Sequence, residues 1–314
     1  MNKKIAFSIG IIAVLLLYII VANVKRSSDL PDLNLPGGTI DEMLITHSNG
    51  TIRIFKKDGK WVINDEAYPA DAKLVGEVEK RFREIKLSDL ISSKGYYAKY
   101  DLTPDKYTEV IFKKKDAVVQ DFKIGKKSTT SQHTFVKIDN RPEIYLAAGT
   151  FDIVVNKDED DFRDREVLRI GHGAVREFTV NYNGMEYAFV KEAAKKTGGK
   201  DSKEKQPKAG GGQWACRSFP GVALDNARVE SLLQGLDPLR ATSFPDIKKD
   251  VLPQRLCTVQ IKANQKDIIL TLFKKGDRYL ATTSENPYVF GVEKWNIEKF
   301  LLTGIDPLKA EARK

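Results

Sequence analysis

The sequence predicts an α+β protein: one N-terminal transmembrane helix, then two tandem repeats, each an antiparallel sheet of six or seven strands, flat or curved, with a packed helix. Three observations carry this reading. Residues Ile5 to Val24 form an apolar run of 20 residues. Asn-Gly pairs stand between alternating apolar runs at Asn49-Gly50 and again at Asn183-Gly184. The order of hairpin, tryptophan-led strand, helix and further strands is written twice along the chain.

At ~1.5 Å rise per residue, a helix over Ile5 to Val24 spans roughly the 30 Å hydrocarbon core of a bilayer. Lys3 and Lys4 precede it, and Lys25 and Arg26 follow. The run is longer than the apolar core of a secretory signal, and it ends without an Ala-x-Ala pattern or a cysteine for lipidation. Residues 1–26 therefore predict an uncleaved signal anchor whose partner is the lipid bilayer. The flanking charges nearly balance, but a long C-terminal region translocates largely regardless of its own charge. That favours a single-pass protein of the cytoplasmic membrane, N-in, with an exported (periplasmic or extracellular) C-terminal region. Residues 27–38 read as a linker.

The first repeat covers residues 39–166. Ile40 to Thr46 alternates, turns through Ser48-Asn49-Gly50-Thr51, and returns as Ile52 to Phe55. Asn-Gly is a strong hairpin signal because both turn residues take positive φ. A second turn, Lys57-Asp58-Gly59-Lys60, leads to Trp61-Val62-Ile63. Asp71 then reads as a helix N-cap, and Leu74, Val78, Phe82 and Ile85 fall on one helical face. Strands resume at Thr108 to Phe112, at Val118 to Ile124 with Gly125 ending the run, at Thr134 to Ile138 and at Arg141 to Tyr145. A short helix around Phe151 to Val155 closes the copy.

The second repeat covers residues 167–308, before a tail at 309–314. Phe178 to Tyr182, Asn183-Gly184 and Tyr187 to Val190 repeat the hairpin, and Trp214-Ala215-Cys216 repeats the tryptophan strand. Between them the tight turn is replaced by a Lys/Gly-rich insertion, 191–213. Asp225 matches Asp71 as N-cap, and Val229, Leu232, Leu233 and Leu236 form the buried face. Thr258 to Ile261, Ile268 to Phe273, Arg278 to Ala281 and Asn286 to Phe290 follow as strands, with Gly276 ending one run, and Trp295 to Leu302 as the last helix. Gly235-Leu236-Asp237-Pro238-Leu239 and Gly304-Ile305-Asp306-Pro307-Leu308 each read as a helix stop, with glycine left-handed at C′ and proline beyond it.

The net charge of +9 invites a nucleic-acid partner, but its distribution argues against one. Without the four charges flanking the apolar run it is +5. Lys191 to Lys208 supplies +4 of that, with seven lysines against three acids. The folded portion is thus close to neutral, whereas a nucleic-acid binder carries a clustered basic patch. A solvated loop is the plain reading of the lysine-rich segment. Two cysteines, Cys216 and Cys257, are a disulfide candidate in an oxidising compartment. They read equally well as two buried apolar thiols.

Taken together, the hairpin, the Trp-led strand, the Pro69-Ala70-Asp71 helix start, the Tyr100-Asp101-Leu102-Thr103-Pro104 loop, the strand ending near Ile124-Gly125 and the Phe162-Arg163-Asp164-Arg165 junction resemble a known family. It is the bacterial domain of unknown function 4340 (DUF4340), and the resemblance runs from about Ile40 to about Leu302. It implies a membrane-anchored, duplicated module, often encoded beside components similar to the ATP-binding-cassette gliding-motility auxiliary system. Its motifs are structural and imply no reaction. The Lys/Gly insertion departs from the family's compact pattern.

No residue set rises to a catalytic, cofactor or metal assignment. Gly125-Lys126-Lys127-Ser128 lacks the earlier glycine of a phosphate-binding loop, since Gln120 stands there, and no helix follows. The acidic run Asp158, Glu159, Asp160, Asp161 and Asp164 lacks the glycine of a calcium loop and reads as a solvated junction with Arg163 and Arg165. His47, His133 and His172 have no partner at metal-ligand spacing and no nucleophile elbow. Trp61, Trp214 and Trp295 read as packing residues.

The function expected is non-catalytic. The duplicated exported module binds another membrane or envelope protein, or a polymer, and the resemblance makes it an accessory of a transporter-like complex. Two other readings stay open, an envelope hydrolase with its site in the cleft between modules and a solute-binding component of a transporter.

Overall fold

A computed structural model describes residues 11–18, 30, 31, 33, 39–193, 212–263 and 266–311. The chain forms two compact units, Met1–Asp164 and Arg165–Lys314. Both are built on antiparallel sheets with few helices, in agreement with the α+β class. Residues 11–18 are helical and exposed. The remainder of the Ile5 to Val24 segment lies outside the described residues, among which no helix is long and apolar enough to cross a membrane.

The first unit runs β1 (Glu42–His47), β2 (Gly50–Lys57), β3 (Lys60–Ile63), β4 (Tyr68–Pro69), α1 (Ala72–Arg83), β5 (Leu87–Ser92), β6 (Thr108–Lys114), β7 (Ala117–Lys127), β8 (His133–Ile138), β9 (Ile144–Ala148), α2 (Asp152–Val155) and α3 (Glu159–Phe162). Its sheet has nine strands in the order β4-β3-β2-β1-β6-β7-β8-β9-β5, more than the six or seven expected. The additions are β4, two residues long, and β5, where Ser88, Asp89 and Ser92 hide the strand pattern. The Asp71 side chain accepts hydrogen bonds from the Lys73 and Leu74 N–H groups and so starts α1. That helix buries Val75, Val78 and Phe82, with Leu74 displaced to the half-buried flank. Phe82 meets Phe112, Phe122 and Phe151 at ring distances of 5.3, 5.0 and 5.2 Å, at the centre of the first core.

The second unit runs β10 (Glu166–Leu168), β11 (Val175–Tyr182), β12 (Met185–Ala193), β13 (Gly212–Cys216), α4 (Asn226–Gln234), β14 (Leu239–Arg240), β15 (Arg255–Ala263), β16 (Lys266–Lys275), β17 (Arg278–Thr283), β18 (Phe290–Val292) and α5 (Lys294–Glu298). Its main sheet is ordered β13-β12-β11-β15-β16-β17-β18, and β10 pairs separately with β14. Asp225 caps α4 as Asp71 caps α1, accepting from the Ala227 and Arg228 N–H groups. Phe178 stacks on Phe189 at 4.6 Å and meets Trp214 edge-on at 5.3 Å. From the tryptophan strand through the hairpin to the last meander strand, the order β13-β12-β11-β15-β16-β17-β18 matches β3-β2-β1-β6-β7-β8-β9 strand for strand.

Turn chemistry differs between the two units. Asn183 and Gly184 both take positive φ, 50° and 78°, as a two-residue hairpin requires. In the first unit His47 pairs with Gly50, so the turn residues are Ser48 and Asn49, one position earlier than expected. The glycine stops also differ. Gly235 is right-handed at φ −75°, and Gly304 lies beyond the end of α5. Residues 309–311 are not a free tail: Lys309 bridges Leu224, and the Ala310 N–H bonds to Ala223.

Candidate functional site

The chain itself closes three of the four outer edges of its two main sheets. Along β4, the Asp164 N–H donates to the Pro69 carbonyl and the Asp71 N–H to that of Phe162. Along β13, the Asn226 side chain substitutes for a strand. Its Oδ1 accepts from the Trp214 N–H at 2.8 Å and its Nδ2 donates to the Gly212 carbonyl at 3.3 Å. Along β18, Gly291 exchanges hydrogen bonds with Thr242 and Ser243. The fourth edge, β5, pairs only with β9 among the described residues. It carries Leu90, which is 39% exposed, and two register shifts, and it has no lysine. An unpaired strand edge is a template for strand addition, and lysine is a usual guard against it.

The loop after β5 crosses the outer face of the first sheet. Tyr97 donates its hydroxyl to the Pro142 carbonyl at 3.0 Å, and Lys137 lies over its ring at 4.3 Å. Tyr100 packs on Phe135 at 4.6 Å. Leu102 is buried against Gly125, where a Cβ would collide with the Tyr100 carbonyl oxygen and come within 2.9 Å of Leu102. Gly125 thus lies inside β7 instead of ending it, because the loop needs the space above it. Beneath this loop Lys123 bridges Asp121 at 2.6 Å and Glu109 at 3.0 Å. Burial pushes the Asp121 carboxyl up, against the Lys123 contact, and pushes the Lys137 amine down, helped by the Lys123 charge.

At one end of the first sheet, the β1–β2 turn, residues 106–108 and residues 156–158 enclose an open recess of about 430 Å³. Thr108 donates its hydroxyl to Asn156 Oδ1 at 2.9 Å. With that proton committed, His47 Nδ1, at 3.3 Å, supplies the hydrogen to Thr108 Oγ1. Nε2, which is buried, is then the lone-pair nitrogen. Burial lowers the pKa of His47, opposed by the Lys157 backbone and the Asp158 charge. His133 opens β8, at a distance in sequence and strand from this recess. His172 lies in a 3-10 turn, and its side chain is outside the described residues.

In the second unit a recess of about 500 Å³ lies between the β16–β17 turn, Thr242-Ser243 and the start of α5. Deeper, Trp214 is 2% exposed and donates its indole N–H to Glu230 at 2.7 Å, while Lys191 reaches the same oxygen at 2.8 Å. Lys191 therefore belongs to the folded unit. Of the insertion, residues 194–211 lie outside the described residues, and Gly212 and Gln213 open β13.

Other sequence-predicted residues separate. Cys216 and Cys257 are free and buried. They stand on β13 and β15, three strand steps apart, or roughly 14 Å at the usual spacing of strands. A disulfide needs Cα atoms within about 7 Å, so the pairing offered by their even number is not formed. Of the tryptophans, Trp214 is core, Trp61 is half-buried under Lys56, and Trp295 is 64% exposed, contrary to its expected packing role. The acidic run forms α3, where Arg163 pairs with Glu159 and Asp160 and stacks on Tyr68 at 3.6 Å. Among the described residues no three His, Cys, Asp or Glu side chains gather as a metal site.

The pattern of the family described as Domain of unknown function (DUF4340) matches residues 61–260, more than half of the chain. Comparison with curated proteins and with solved structures returns no match.

Proposed function

The chain belongs to the DUF4340 family, and from that premise we propose that it is a non-catalytic, membrane-anchored envelope protein that captures an extended segment of a partner protein by strand addition at β5. The anchor is the apolar run Ile5 to Val24, and the folded units follow it on the exported side. The two units are copies of one module, a reading supported by the common strand order of their sheets and by the matching aspartate caps of α1 and α4. The partner is a subunit of a transporter-like complex in the same membrane.

The observation that carries this reading is the contrast between edges. Three are sealed by Phe162–Asp164 backbone, by Asn226 and by Thr242-Ser243, whereas β5 keeps its outer side free among the described residues. Main-chain hydrogen bonds along such an edge supply affinity, and pockets for alternate side chains supply selectivity. The test is a photo-crosslinking residue at Leu90, activated in native membranes, with a second probe at Val118, which is 59% exposed on the β6–β7 hairpin. Recovery of a transporter subunit from Leu90 alone is the expected result. Crosslinks of equal yield from both positions, or from neither, would remove the β5 reading.

A further inference from the structure

The amine of Lys299 occupies a notch in the second unit that partner capture at β5 leaves unused. Gly235 closes α4 with ordinary right-handed backbone, so no turn geometry calls for glycine there. A Cβ at Gly235 would collide with Lys299 Nζ and lie 2.6 Å from Asn296 Oδ1. The absent side chain is the space that admits the amine. Two rings flank it, Trp295 at 5.9 Å and Phe300 at 5.4 Å from Nζ. The neighbouring acid, Glu298, is engaged by Lys294 at 3.3 Å and by the Tyr279 hydroxyl at 3.5 Å. Asn296 is 5% exposed, and its Oδ1 has no hydrogen-bond partner. An ammonium group taken from water with no counter-charge is destabilised, and burial pushes Lys299 down to about 8.

We propose that Lys299 is a covalent modification site that accepts an acyl group from an activated donor, an acyl phosphate or a thioester. The geometry suits an amine nucleophile: half-buried, without a counter-charge, and beside the exposed ring of Trp295. The Nζ lone pair attacks the carbonyl carbon, and an N–C bond forms. The C–O bond to phosphate, or the C–S bond to the thiolate, breaks, and one amine proton leaves to water. The product is a neutral amide, free of the desolvated charge, and it keeps one N–H for Asn296 Oδ1. Modification thereby resolves both the unpaired cation and the unpartnered oxygen of this notch.

The test uses the full chain in detergent, acetyl phosphate as donor, and peptide mass spectrometry to read the rate at each lysine from pH 6.5 to 9.5. At pH 7.5 about a quarter of an amine with pKa near 8 is neutral, against ~0.1% for an ordinary lysine. Lys299 is expected to react at least about ten-fold faster than the exposed Lys80 and Lys294, with the rate levelling off above about pH 8. Asn296→Asp places a carboxylate beside the amine at nearly constant volume and should slow Lys299 about ten-fold while leaving Lys80 unchanged. In concentrated urea the advantage of Lys299 should vanish. Equal rates at Lys299 and Lys80 in the folded protein, a rate unaffected by Asn296→Asp, or an advantage that survives urea would each overturn the proposal.

Discussion

Trp214 and Glu230 meet through a 2.7 Å hydrogen bond from the indole Nε1 to the carboxylate Oε1, which holds the tryptophan strand of the second unit to α4. Lys191, with 8% of its side chain exposed, completes the cluster and lies 5.4 Å from the indole ring. Removing the carboxylate strands a buried N–H and a buried cation together. Glu230→Ala is expected to destabilise the second unit by about 2–4 kcal/mol, and Glu230→Gln by about 1–2 kcal/mol, because the amide oxygen still accepts from the indole. Urea denaturation followed by tryptophan fluorescence measures both.

Gly125 is the seat of the Tyr100-Asp101-Leu102 turn. Gly125→Ala should cost about 1–3 kcal/mol, the usual penalty of overpacking, because a rigid carbonyl and a buried leucine both stand where the methyl must go. The same change should raise amide hydrogen exchange in residues 96–107 before it affects β1 and β2. Equal exchange in both regions would mean that the loop is not held at this point.

Neither cysteine should report on redox conditions. Burial pushes Cys257 up to about 12 and Cys216 also upward, so the thiolate is scarce at neutral pH even apart from access. Iodoacetamide should label neither in the folded protein and both in urea, with or without reductant. Labelling in urea that depends on reductant would place a disulfide in the chain.

His47 gives the first unit a pH dependence. Its folded pKa lies below the ordinary value of 6.5, so the neutral ring is the form the fold favours. Its contribution is therefore complete above about pH 6.5 and is lost as the pH falls toward the depressed folded value. His47→Gln should flatten that part of the stability profile between about pH 6.5 and 5, measured as urea midpoints in a pH series. An unchanged slope would assign the acid sensitivity to other groups.

The meander strands were legible because burial alternates along them, as in β6 and β8, and α1 and α4 because an aspartate cap precedes an apolar face. What escaped was set by contacts distant in sequence. Leu87–Ser92, with Ser88, Asp89 and Ser92 among its six residues, becomes a strand through its pairing with β9. Gly125 and Gly235 both look like terminators, yet one makes room for a loop 23 to 25 residues earlier in the chain and the other for a lysine. β10 and β14 are too short for any periodicity to show. Of the candidate sites, His47 was visible as a residue, but its link through Thr108 to Asn156 was not, since nothing local joins positions 47, 108 and 156.

The bonds from Asp164 to Pro69 and from Asp71 to Phe162 also bear on how the protein is made. They fasten the last residues of the first unit onto its own β4, so every strand of that sheet is complete once Asp164 has been added. A growing chain can thus finish one unit while the codons of the next are still being read, at a synthesis rate of about 5–20 residues per second. Each unit then matures without the other's strands free to mispair with it, a safeguard of particular use to a chain in which seven strands of one sheet follow the same order as the seven of the other.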